Sequence, residues 1–473
     1  MYIETHGWRN QTAPAAHGRA LYELLSQGTP DAFARSSAAQ CVREELELVH
    51  AQPCSLPQTP QDLGEWMRAS TRAVHAAYAQ YLGERRAGAP RRYFSNRSHA
   101  LYFLRAAAPT KLVDGAWLYG LLEHWRNPRF ADLVRTYVEE LGEGDPGSNH
   151  VLLYRSLLAR HGLEQLDDLP DGLYRQGTLQ LALGWNAQEF LPEIIGFNLG
   201  YEQLPLHLLI TAYELNELGL DPYYFTLHAT VDNADTGHAR RACQAVLDTL
   251  PRLPDGGAFW ARVRAGAKLA DVGPGTTDVI AGFDMDSEVL RVFERKAGAG
   301  SGAHSDYCRL AGRSINEWLS VPRELPAFLR ALQEAGWIRR GEPVANSRFW
   351  GLLQGARPAM FGVFSGYELQ LIHDWIRGDA ASADGRCYRD AGEPVEGARV
   401  PSLRASARRR QPLGEAQAGT DLLDPDLDSF KAHLAGSAAD DRAQAIVEAM
   451  SPVHHWTPAG LHATRLFCEH LHP

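Results

Sequence analysis

Apolar residues return at about every third or fourth position through 64–84 (GEWMRASTRAVHAAYAQYLGE), with no β-branched run, so this stretch predicts an amphipathic helix. The same period recurs at 112–124, 130–141, 151–160, 189–218, 224–250 and 325–336. Strand-like alternation is confined to two short pieces, Asp278 to Phe283 (DVIAGF) and Ala359 to Phe364 (AMFGVF), and neither belongs to a repeating strand–helix unit. The pattern therefore predicts an all-α protein rather than a doubly wound sheet.

Two segments interrupt the helical pattern. Lys296 to His304 (KAGAGSGAH) is small and unpatterned and reads as a linker; its G-x-G follows a helical segment instead of a strand, which argues against a dinucleotide site. The stretch 378–419 is rich in Gly, Ala, Pro and Arg and reads as a flexible loop, with Arg404, Arg408, Arg409 and Arg410 either solvated or anion-binding. These joints divide the chain into an N-terminal helical accessory region (1–90), a core (91–295) and a C-terminal accessory domain (305–473) containing that loop and, before it, Trp318, Trp337, Trp350 and Trp375.

Composition narrows the function. Of the 473 residues, 45% are hydrophobic and 22% charged, which excludes a largely disordered chain. A net charge of −10 argues against a nucleic-acid partner. The six cysteines, at 41, 54, 243, 308, 387 and 468, form no C-x-x-C pair and read as reduced thiols of a cytoplasmic protein. Neither a signal peptide nor a long apolar run is present, so no membrane association is expected. With 19 histidines and no paired cysteines, any metal must be held by His with Asp and Glu.

The segment Pro222 to Arg241 (PYYFTLHATVDNADTGHARR) is the richest in such residues. On a continuous helix turning about 100° per residue, His228, Asp232 and Asp235 share a stripe roughly 60° wide, and His238 lies about 60° beyond it. Taken alone, this is as compatible with a solvated polar face as with a metal site. Two other segments change that balance. In Tyr137 to His150 (YVEELGEGDPGSNH), a helix carrying Glu139 and Glu140 breaks at Gly142, Gly144 and Pro146, then resumes near His150, with Asp145 or Asn149 able to cap it. In Gly196 to His207 (GFNLGYEQLPLH), Glu202 is a lone carboxylate in apolar surroundings, costly unless paired or metal-bound, with Glu193 as the competing candidate. Helix bundles build dimetal sites from such inward-facing Glu and His on several helices.

Together, Glu140-x9-His150, Tyr201-Glu202-Gln203-x-Pro205 and His228-x3-Asp232 with a further ligand downstream resemble the heme-oxygenase-like diiron oxidases and oxygenases, over roughly 95–250. The resemblance implies a seven-helix bundle of the heme oxygenase type that holds two non-heme iron ions and uses O2 as co-substrate. It assigns Glu140, His150, Glu202, His228 and Asp232 as ligands. The family pattern H-x-x-x-D-x-x-H has Asp235 at its third position here, so the last ligand is either His238, brought inward by a helix distortion, or Asp235. The resemblance implies a monooxygenase that N-oxygenates a small amine or guanidine, of the kind that forms 2-nitroimidazole, with an external electron donor and a possible homodimer. The alternatives within the fold are oxidative C–C cleavage, decarboxylation or desaturation, and a metal-independent thiaminase-like hydrolase. No catalytic residue beyond the ligands is assigned. His454, His455, Cys468, Glu469, His470 and His472 read as exposed, frayed residues, and His304, Asp306 and Cys308 have no evident complement.

Overall fold

The computed structural model describes residues 18–231, 237–251, 255–378 and 424–471. It is all-α: the strands among the described residues are a two-residue antiparallel pair, Arg309–Leu310 with Arg313–Ser314. Of the two strand-like pieces, 278–283 contributes to the Thr276–Ala281 helix, whose start is closed by Asp278 accepting from the Gly275 N–H at 2.9 Å. The other, 359–364, is a turn and bend. The Lys296–His304 segment read as a linker is helical through Gly300, as the end of Met285–Gly300, because its small residues let Ala297 bury against the core.

The long predicted helices form where expected, with informative breaks. The 64–84 pattern becomes Leu63–Arg86, and 130–141 becomes Ala131–Glu140. The 112–124 stretch instead holds a 3-10 segment, Ala116–His124. The 189–218 pattern splits into Leu191–Tyr201 and Leu206–Glu217, because Pro205 lacks the N–H that a continuing helix needs. That break leaves Glu202 at the C-terminal cap of the first helix, free of its regular face.

Leu191–Tyr201 lies directly against Gly256–Leu269. A Cβ on Gly196 would overlap the Val263 carbonyl oxygen, and one on Gly266 would overlap that of Glu193, so the two backbones touch where their side chains are absent. Arg262 pins the pair by holding both oxygens of Glu193 at 2.6 Å.

Two apolar clusters make up the interior. The first joins the N-terminal helices (Leu25, Val42, Leu63) to Trp117, Tyr137, Phe197, Ala242 and Val263, and also takes in Met450 and Phe467. The second joins Phe94 and Leu104 to Tyr154, Tyr224, Val289, Trp350 and Trp375. Residues beyond 305 thus supply both clusters. Truncating a fully buried Leu in either would cost about 2–5 kcal/mol. Among the described residues, no helix is long and apolar enough to cross a membrane.

Candidate metal centre

Glu140 and His150 meet because the chain between them makes an unusually tight return. Gly142, Glu143 and Gly144 all take positive φ (65°, 52° and 81°), a left-handed run that glycine adopts without strain and that a glutamate rarely adopts. A Cβ at position 142 would collide with the Asn149 backbone, and one at 144 with the Leu461 carbonyl. The turn is seated on the Pro458–Leu471 helix, whose Arg465 donates to the Gly144 carbonyl at 2.9 Å. Asn149 then caps the His150–His161 helix, accepting from the Leu152 N–H at 2.9 Å, while its amide donates to the Leu141 carbonyl at 3.2 Å. His150, first residue of that helix, turns Nδ1 onto Glu140.

Asp114 reaches the same carboxylate from another direction. Gly115 (φ 79°) packs so closely that a Cβ there would stand 3.0 Å from that of Glu140. His228, on Tyr223–Val231, is 3.0 Å from Asp114 through Nε2, and its Nδ1 lies 2.8 Å from the Tyr224 carbonyl. Donation from Nδ1 to that carbonyl leaves Nε2 as the nitrogen aimed at the carboxylates. The His150 and His228 rings are 4.2 Å apart, centre to centre.

A second group adjoins the first. His238 is wholly buried; its Nδ1 is 3.1 Å from Glu202 and 3.2 Å from Glu140, and its Nε2 is 3.1 Å from Glu139. Arg241 in turn holds Glu139, at 3.0 Å through one of its nitrogens. An imidazole oriented from behind by a carboxylate is the arrangement that fixes metal-binding histidines.

The donors thus fall into two buried sets, Asp114–Glu140–His150–His228 and Glu140–Glu202–His238, each with ligand atoms within 4.8 Å of one another. Glu140 belongs to both. Mixed imidazole and carboxylate donors suit iron, manganese or zinc, and three carboxylates crowded out of water call for compensating positive charge. The residues therefore fit a two-metal centre.

Electrostatics agree. Burial opposes ionisation of Glu140, but His150 and His238 hold its carboxyl well below the usual range. Burial likewise acts against Asp114, and the Lys111 ammonium and His228 more than offset it. For His228, burial disfavours the cation, yet the bond to Asp114 raises its pKa to about 9. The consequence has a definite sign. In metal-free protein, His228 contributes stability that is complete below about 6.5 and lost as pH rises through 9, on the order of 3 kcal/mol. Urea melts of metal-free protein should show this decline, whereas iron-loaded protein, in which a metal replaces the proton, should be flat over the same window. Rising stability of the metal-free form across it would contradict the His228–Asp114 pairing.

The structure brings together Glu140, His150, Glu202, His228 and His238. Asp232 and Asp235 lie outside the described residues, as do Arg404, Arg408, Arg409 and Arg410. His238 arrives by a route other than a distortion within one helix: Gly237 is extended (φ −84°, ψ −166°), and His238 begins a new helix, His238–Thr249. Glu193, engaged by Arg262, is not at the centre. His455 is buried rather than frayed, with Nδ1 3.1 Å from the Asn149 amide, and burial followed by the nearby Arg155 charge lowers its pKa to about 3. Sequence reasoning missed Asp114, because a single Asp within the helical period of 112–124 has no histidine or carboxylate at ligand spacing, and missed Lys111.

The centre opens into a cavity of about 620 Å³ lined by Lys111, Asp114, Glu140, Tyr201, Glu202 and His228 among others, with 270–276 forming a wall. His207 also lines it; burial, then the Lys111 charge, lowers its pKa to about 4, so it is neutral at pH 7.

Residues 101–271 match the family model described as iron-containing redox enzyme. No curated protein and no solved structure matches the chain.

Proposed function

We propose that this chain, whose residues 101–271 match the family model described as iron-containing redox enzyme, is a non-heme diiron monooxygenase of the heme-oxygenase-like kind that oxygenates the nitrogen of a small amine or guanidine. The observation that carries the dimetal part is Glu140, common to two buried donor sets. The choice of nitrogen rests on the resemblance of the Glu140-x9-His150 spacing and on the acceptors facing the cavity.

Two irons, when bound, supply the O2-reducing chemistry. Overall, an amine, O2, two electrons and two protons give a hydroxylamine and water, so a two-electron donor from outside the chain completes the reaction. The chain's own residues do the rest. The three imidazoles present one nitrogen each to the carboxylates, and Glu139 and the Tyr224 carbonyl keep His238 and His228 so oriented. The apolar clusters on either side exclude water. A protonated amine has no lone pair to oxidise, and the ring of His207, held neutral, is placed to accept a hydrogen bond from an N–H in the cavity without adding like charge.

The test is anaerobic iron loading followed by exposure to O2 with candidate amines, with products read by mass spectrometry. Oxygen added to nitrogen is expected; loss of CO2 or an alkene with no oxygen on nitrogen would favour oxidative C–C cleavage and defeat this reading. His228→Ala and Glu202→Ala should each abolish O2-dependent turnover. Full activity in chelator, without iron uptake, would remove the metal reading altogether.

A further inference from the structure

Lys111 brings into the cavity an ammonium group for which metal binding has no use. It is half-buried at the end of a short helix, Ala108–Lys111, and lies over the rings of Tyr201 at 5.5 Å and Tyr224 at 5.8 Å. Among the described residues no carboxylate oxygen lies within 4 Å of it. Burial opposes its charge, but the Tyr201 phenol, Asp114 and Glu140 keep it protonated. In metal-free protein it helps balance the carboxylates. With two divalent ions bound, four positive charges already exceed the three carboxylates Asp114, Glu140 and Glu202, so Lys111 becomes surplus cation on the cavity wall.

Tyr201 points the same way. Its ring lies beside the Lys111 ammonium, and its phenol oxygen accepts at 3.2 Å from the Gln180 amide, so its own O–H is left to donate elsewhere. An ammonium and a phenol O–H side by side form a donor pair for an anion. One turn from Gln180, Gln176 is buried and lines the cavity; its amide donates to the Ala270 carbonyl at 3.0 Å, while its Oε1 has no hydrogen-bond partner among the described residues and can accept an N–H.

We propose that Lys111 and Tyr201 bind a carboxylate of the substrate, so that the molecule oxidised is an amino acid or a similar small acid carrying nitrogen; the nitrogen part rests on the function proposed above. A single lysine and a phenol match a monoanionic carboxylate better than a phosphate, which usually recruits several cations or backbone N–H groups.

Calorimetric titration under argon of metal-free and iron-loaded protein, with L-arginine against agmatine and L-lysine against cadaverine, isolates the carboxylate. The acid of at least one pair should bind at least about tenfold more tightly than its amine. Lys111→Met should erase that preference, Lys111→Arg should keep part of it, and Tyr201→Phe should reduce it while leaving the ammonium. Equal binding within both pairs, a preference retained in Lys111→Met, or inorganic phosphate displacing the acids would overturn the proposal. Should Lys111→Met fail to fold, Tyr201→Phe decides. Iron content and O2 uptake measured on the same samples separate the two readings: iron loading with O2 uptake but no acid preference sinks only the clamp, and an acid preference without iron sinks only the oxygenase.

Discussion

Replacing Glu140 by alanine should cost the protein both metal ions at once. Glu140 is the residue common to the two donor sets, so its loss leaves Asp114, His150 and His228 on one side and Glu202 and His238 on the other with no shared carboxylate. Iron bound per chain, measured after anaerobic loading and desalting, should fall to about a tenth or less of the wild-type value, since losing even an outer-sphere partner weakens metal binding by about 10–100-fold. Glu202→Ala removes a residue from one set only and should leave the other set able to bind. Glu140→Gln, which keeps the volume but loses the charge, should behave like Glu140→Ala. Retention of one full equivalent of iron in Glu140→Ala would show that the two sets are independent.

The second large effect is mechanical. Gly196→Ala places a methyl against the Val263 carbonyl, a backbone atom with no rotamer to escape into. The Leu191–Tyr201 and Gly256–Leu269 helices must then part, and the expected loss is about 3 kcal/mol, at the upper end for overpacking. Because Glu202 caps the first of these helices, the shift also reaches the Glu202–His238 contact. Chemical denaturation should register the destabilisation, and iron titration of the surviving folded fraction should show the set containing Glu202 weakened. A variant as stable as wild type would mean that the two helices slide apart without penalty.

Much of the fold and part of the centre were legible in the chain itself, for a physical reason. A carboxylate such as Glu202 among apolar neighbours stands out because burial without a partner is costly. Glu140 and His150 stood out because the glycines and proline between them mark a sharp return. Asp114 had no such signal: its neighbours read as one more stretch of amphipathic helix, and its role depends on Gly115 fitting against Glu140, a contact between distant parts of the chain. The pairing of Glu193 with Arg262, which removes Glu193 from contention, is equally non-local. So is the burial of His455, whose neighbours at the far end of the sequence suggested exposure. The helix period also carried straight through Gly237, where the backbone in fact becomes extended and starts afresh, and it gave no hint that Lys296–Gly300 would stay helical.

The turn at Gly142–Gly144 also imposes an order of events during synthesis. Its seat is the Pro458–Leu471 helix, more than three hundred residues downstream, and Arg465 is the residue that fastens it. The residues of both donor sets leave the ribosome early, but the bend that presses Glu140 onto His150 has nothing to rest on until that last helix emerges. The donors are therefore made long before the centre is, and iron captured ahead of that point would meet a loose set of side chains rather than a finished site.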